Sequence, residues 1–173
     1  DPPIGQMMIQ RIRKTLRQVY QNAREPKLVR RRALEAAIRA PEEWQTGAVR
    51  AAYADTDPEW RLTAVFCMGF ISGFEAQILD SLDNPDEDIH YHAVVGAGNW
   101  ELEAAWDHVS ALAAAASTDK DLRLAAIDAV ASIHPEKAAS VLDPLAGSSD
   151  EDIAEAVVEA LEFARMMATA DRK

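Results

Sequence analysis

Cysteine is almost absent from this chain, with Cys67 its one example among 173 residues. A single thiol excludes an internal disulfide and a thiolate-rich metal site, so packing alone must hold the core. Such usage suits a reducing compartment, and a cytoplasmic location is expected. Long hydrophobic runs are missing too. The longest uncharged stretch, Leu62 to Phe74, falls well short of the roughly 20 residues a helix needs to cross a bilayer. No signal-peptide pattern opens the sequence, and no membrane association is expected. β-branched clusters are few and period-two alternation is nowhere sustained, which argues against strands. Positive charge is scarce: 18 Lys and Arg face 29 Asp and Glu, a formal net of −11. That balance opposes non-specific attraction to nucleic acid or anionic lipid over most of the surface, so nucleic-acid binding is not expected.

What remains is the composition of a water-soluble globular chain, 49% hydrophobic and 27% charged. Its length suits one compact domain with a sizeable core. The sequence opens on Asp1 rather than Met, so a piece of a longer array is expected. Charge is unevenly spread. Residues 1–50 hold 11 Lys/Arg and 5 Asp/Glu, a net of +6, whereas residues 51–173 hold 7 against 24, a net of −17.

A repeat runs through the chain. The apolar residues Val29, Trp60, Ile89, Leu122 and Ile153 open successive helical patterns at spacings of 31, 29, 33 and 31. Three residues before the last four stand Asp57, Asp86, Asp119 and Asp150, with Pro26 in that place in the first. Aspartate there predicts an N-cap, its carboxylate accepting bonds from unpaired first-turn N–H groups. Small residues follow at the fourth position (Ala33, Ala64, Ala93, Ala126, Val157) and the seventh (Ala36, Cys67, Gly96, Ala129, Ala160). They predict a narrow seam that lets a neighbouring helix approach closely. Directly after the anchors come Arg30, Arg61, His90 and Arg123, broken by Ala154, a cationic ladder expected to meet an acidic turn nearby.

Each first helix leads through a break (Pro41, Ser72-Gly73, Gly98-Asn99, His134-Pro135) into a second, expected near 42–54, 74–83, 100–116 and 136–146. The expected units are 25–56, 57–85, 86–118, 119–149 and 150–167, with a short tail at 168–173. Residues 1–24 carry a basic amphipathic helix at 6–23, expected to be the second helix of a truncated upstream repeat. The fold is all-α, with about ten helices.

An acidic cap, an apolar anchor, usually Arg, and small residues four and seven further on resemble the short HEAT-like repeat of phycobilisome lyase subunits and many bacterial proteins, over residues 25–165. The resemblance implies a right-handed α-solenoid of stacked helix pairs, first helices convex and second helices lining the concave side. No pair of this size buries its apolar face alone, so neighbours must share one core.

Enzymatic relatives leave no residues to carry over. Deoxyhypusine hydroxylase, also HEAT-like, binds iron through His-Glu dipeptides, and none of His90, His92, His108 or His134 precedes Glu. His90 and His92, two apart on a helix, point about 200° apart and cannot chelate one ion. HEAT-like DNA glycosylases use aromatics in a basic groove. Here Trp44, Trp60 and Trp106 fall on core stripes, only Trp100 is expected to be exposed, and the acidic body repels phosphate. Nothing in the sequence transfers a bilin-lyase motif. Cys67 lies on the seam without a base and reads as inert. Arg30, Arg31 and Arg32 fan around a helix and read as a solvated end. No metal, cofactor or catalytic residue is assigned.

Aligning the second helices on Leu82, Leu112 and Leu145 gives two outward columns: Asp80, Ser110, Asp143 and Gln77, Asp107, Ser140. This polar, mildly acidic face is the expected docking site for a basic or polar protein partner. The function expected is a non-enzymatic scaffold or adaptor; the alternative is a regulatory subunit of an enzyme such as a bilin lyase, then a DNA-binding module.

Overall fold

The computed structural model describes residues 4–170. Among these it contains ten α-helices and no strand. The contacts divide the chain into two compact units, Asp1–Ile71 and Ser72–Lys173. The division falls inside the expected 57–85 unit, between its two helices. The first unit holds α1 (Ile4–Gln21), α2 (Lys27–Ala37), α3 (Glu43–Ala54) and α4 (Pro58–Met68). The second holds α5 (Glu75–Ser81), α6 (Glu87–Asn99), α7 (Trp106–Ala114), α8 (Lys120–Ile133), α9 (Ala138–Leu142) and α10 (Glu151–Ala170). Short 3₁₀ turns, Glu103–Ala105 and Asp143–Leu145, precede α7 and follow α9. Helix α10 takes in residues 168–170 of the expected tail. Residues 1–3 and 171–173, parts of the expected N-terminal segment and tail, lie outside the described residues.

The aspartate caps form as the spacing predicts. Asp57 accepts from Glu59 N at 3.0 Å and Asp86 from the N–H groups of Asp88 and Ile89 at 3.0 and 3.1 Å. Asp119 caps Asp121 N and Leu122 N, and Asp150 caps Asp152 N and Ile153 N. Each carboxylate satisfies donors that the helix itself leaves unpaired. Pro26 starts α2 with no side-chain cap.

The cationic ladder departs from expectation. Arg30 Nε donates to Tyr20 O at 2.9 Å, Arg61 Nε to Tyr53 O at 3.3 Å, and Arg123 Nε to Ala113 O at 2.9 Å. These carbonyls belong to the last turns of α1, α3 and α7. A helix C-terminus leaves carbonyls unpaired and carries partial negative charge, so a guanidinium there is doubly favoured. The acidic turns are met instead by lysines at the first helical position. Lys27 pairs with Asp57 and Glu59, and Lys120 with Asp150 and Asp152. In both units, then, one repeat reaches the cap of the next by the same device.

Packing follows the alternation of helices. In the first unit α1 lies on α2, α3 on α4, and α2 beside α4. In the second, α6, α8 and α10 are successive neighbours, α7 packs on α8, and α9 on α7. The seam is buried at Ala64, Ala93, Ala126 and Val157, all at 0% exposure. It opens at α2, where Val29 is 43% exposed and Ala36 is exposed. The expected helix 100–116 is shorter. Leu102 N bonds to Ala97 O at 2.9 Å, and Glu101 sits at φ 50°, the left-handed closure of a helix C-terminus. A helical continuation through Trp100 and Glu101 is thereby excluded, and α7 starts only at Trp106.

Candidate functional site

The six residues expected to receive a partner all lie in the second unit. Asp80 is exposed on α5 and Gln77 half-buried; Asp107 is exposed in the first turn of α7. Ser140 on α9 is exposed, its hydroxyl donating to Lys137 O at 2.6 Å, and Asp143 is exposed where the 3₁₀ turn begins. Because α7 packs on α9, Asp107, Ser110 and Ser140 belong to neighbouring helices. Ser110 differs from the others: its Oγ is shut off from water and finds no hydrogen-bond partner among the described residues. The surface that remains is three exposed carboxylates and two polar side chains.

A second polar surface lies on the first helices. Between α6 and α8 runs a groove of about 1050 Å³, walled by Glu87, Asp88, Asp119, Asp121 and Asp128 with Tyr91 among its lining. Partial loss of water, and then the Glu159 carboxylate, push Asp128 above the usual range for aspartate. The groove's signal was legible as a column: Glu59, Asp88, Asp121 and Asp152 stand directly before their anchors. Such residues point away from the seam, so first helices carry an acidic stripe on their solvent side.

The two helices approach closely at one end of this groove. A Cβ on Gly98 would lie 3.0 Å from Ala129 Cα, so glycine is what lets α6 touch the α8 backbone there.

His90, which breaks the arginine ladder, turns to α7 instead. Its Nε2 lies 2.8 Å from His108 Nε2, with the rings edge to face at 5.1 Å. One ring nitrogen must carry the proton and the other accept it, so the contact requires a neutral acceptor ring. Loss of water and then His108 lower the His90 pKa, with the Asp83 carboxylate opposing them. The unfolded chain therefore takes up a proton at higher pH than the folded one. The pair's contribution is complete above the ordinary histidine pKa of about 6.5 and is lost as pH falls through the lower folded value. Urea unfolding between pH 8 and 5 should show wild type losing stability on acidification more steeply than His90→Gln; equal slopes would refute this coupling.

The remaining candidates resolve as packing. Cys67 is fully buried, and desolvation raises its pKa well beyond the physiological range, so its thiol stays protonated. Trp44 and Trp60 both meet Tyr20, at ring distances of 5.4 and 6.1 Å, and Trp106 meets His134 at 4.9 Å. All four tryptophans are half-buried, Trp100 among them, so Trp100 is not set apart by exposure.

The arginine triplet is not a solvated end. Arg31 is 5% exposed, its Nε donating to Thr63 Oγ1 at 2.9 Å and its Nη1 to Glu59 Oε1 at 3.0 Å. Arg30 lies over the rings of Tyr20 and Trp60, and only Arg32, paired with Glu35, faces water. At 100° per residue, consecutive side chains cannot all face solvent on a helix packed along one side.

No group of three or more His, Cys, Asp or Glu among the described residues is arranged to hold a metal ion, and none of their helices is long and apolar enough to cross a membrane. Compared with protein-family models and with curated proteins, the chain matches none.

Proposed function

We propose that this chain is a non-enzymatic protein-binding scaffold built from HEAT-like helix pairs that stack as an α-solenoid, and that it holds a basic segment of a partner protein. The observation that carries the architecture is the bond made three times by the residue after the anchor, from Arg30, Arg61 and Arg123 to the end of the preceding helix. A recurring contact at a recurring position is what stacked repeats require. Charge carries the choice of partner. Residues 72–173 hold 6 Lys/Arg against 21 Asp/Glu, a net of −15, and such a surface attracts and orients a cationic chain.

The docking face in this reading is that of the second helices, with Asp80, Asp107 and Asp143 as its carboxylates and Gln77 and Ser140 beside them. The α6–α8 groove supports a second placement of the same basic segment, because five carboxylates wall it. Those carboxylates also disfavour an apolar pigment, and with it the bilin-lyase alternative.

Fluorescence anisotropy with a lysine- and arginine-rich peptide tests both placements. The triple variant Asp80→Lys, Asp107→Lys, Asp143→Lys should weaken binding by about tenfold or more, while Asp121→Lys, Asp128→Lys changes it little. The reverse pattern would move the partner to the groove. Unchanged affinity in both variants, or no binding by wild type at low salt, would end the scaffold reading in this form.

A further inference from the structure

One ion pair recurs between successive first helices, and it changes sign at α6–α8. Between α2 and α4, Lys27 Nζ lies 2.8 Å from Asp57 Oδ2 and also pairs with Glu59. Between α8 and α10, Lys120 Nζ lies 3.0 Å from Asp150 Oδ1 and also pairs with Asp152. Both lysines stand two residues before their anchors, Val29 and Leu122, and each reaches the residues three and one before the next anchor. Between α6 and α8 the equivalent acceptors are Asp119 and Asp121, and the residue in the lysine's place is Glu87. All three border the groove between these helices. Equivalent carboxylates hold an ammonium twice elsewhere in the chain, which identifies the chemistry they accept: one primary ammonium donates to two carboxylates at once.

The groove offers such a cation more than one contact. Asp128 stands seven residues after Asp121, two turns along the same face of α8 and about 10 Å away by helical rise. Among the described residues no Lys or Arg pairs with Glu87, Asp119, Asp121 or Asp128. The Glu159 carboxylate adds like charge near Asp128. Leu124 and Ala125, between the two stations, and Val95 on α6 give the lining an apolar part, and Tyr91 adds an aromatic ring. Aliphatic carbon suits such a lining, and an ammonium is attracted to an aromatic face. A point ion fits less well. No three carboxylate, thiol or imidazole groups among the described residues gather as a metal site, so the negative charge is spread along the groove. Its volume of about 1050 Å³ is at the upper end for small-molecule sites.

We propose that the α6–α8 groove binds a linear aliphatic diamine or polyamine, one terminal ammonium held by Glu87, Asp119 and Asp121 and another by Asp128. The ligand brings from outside the ammonium that Lys27 and Lys120 supply from within the chain. Length selects it, because its two ammonium groups must lie about 10 Å apart. Charge by itself attracts any cation. The site is separate from the second-helix face, so diamine binding there and peptide binding on the second helices succeed or fail independently.

Isothermal titration calorimetry of the whole chain at low salt tests the site with putrescine and diaminooctane, which carry the same charge and differ in length. Diaminooctane should bind one to one, and about tenfold or more tightly than putrescine. Glu87→Gln with Asp121→Asn should weaken it by about tenfold or more. Glu155→Gln with Glu162→Gln removes the same charge from α10 and should leave it unchanged. Glu87→Lys fills the place from within: it should abolish diaminooctane binding and raise the melting temperature, the opposite of a damaging substitution. No binding of diaminooctane, equal affinity for the two diamines, equal losses in the two double variants, or a Glu87→Lys chain that binds like wild type would overturn the site. So would a groove that takes the lysine- and arginine-rich peptide but not diaminooctane, which would make a protein segment the occupant.

Discussion

Arg31→Met is expected to destabilise the first unit by about 2 kcal/mol, within what leaving a buried hydrogen-bonding group without its partner costs. The arginine joins α2 to α4 through Thr63 and Glu59, and Thr63 Oγ1 passes a further bond to Glu35 Oε1 at 2.7 Å. Its side chain is 7% exposed and that of Glu35 only 11%, so water cannot replace the lost donor. What remains is a shielded carboxylate held mainly by Arg32 and a hydroxyl at 0% exposure. Glu59 is half in water, which is why the upper end of the range is not expected. Replacing the network as a whole, with Arg31→Met, Glu35→Leu and Thr63→Val together, should cost less than Arg31→Met alone, because no buried polar group is then stranded. Denaturant unfolding measures both. A single variant as stable as wild type would show that the network contributes nothing.

Glycines two residues apart on α6 should respond in opposite directions to the same substitution. Gly98→Ala places a Cβ 3.0 Å from Ala129 Cα and 3.1 Å from Ala129 Cβ, where backbone rather than a flexible tip must move. A loss of about 1–3 kcal/mol follows from overpacking, and Gly98→Val should exceed it. Gly96→Ala meets only the Ile78 side chain, nearest at Cδ1 at 3.4 Å, an ordinary contact, and removes a residue that weakens a helix interior. It should be neutral or stabilise by up to about 1 kcal/mol. Thermal melts of the two variants check the pair. Equal losses would mean that helix propensity rather than the α6–α8 approach governs both positions.

The legible part of this protein was what short-range chemistry dictates. Aspartate three residues before an anchor caps a helix because its carboxylate reaches unpaired N–H groups within one turn, and Asp57, Asp86, Asp119 and Asp150 all do so. The seam residues Ala64, Ala93, Ala126 and Val157 are buried, as their spacing requires. Local chemistry was also misread at one place. The helix expected from residue 100 begins at 106, because Glu101, a residue without special freedom, takes the left-handed closure. The candidate site was less legible. Five of its six residues sit at a polar surface, but the Ser110 hydroxyl is shut off from water, and the acidic α6–α8 groove lies between first helices, outside the columns of the second.

Helix number, the four aspartate-capped helix starts and the spacing of the small-residue seam were thus determined by the sequence alone, since each depends on contacts within a few residues. Partners distant along the chain were decided only by the tertiary structure. Arg31 and Arg32 are chemically alike and adjacent, yet one is buried against Thr63 and the other faces water. Arg30 and His90 share a repeat position, yet one closes α1 and the other pairs with His108. Which neighbour a side chain meets depends on helix rotation and on the residue a neighbouring helix presents, and neither is encoded in its own few residues of chain.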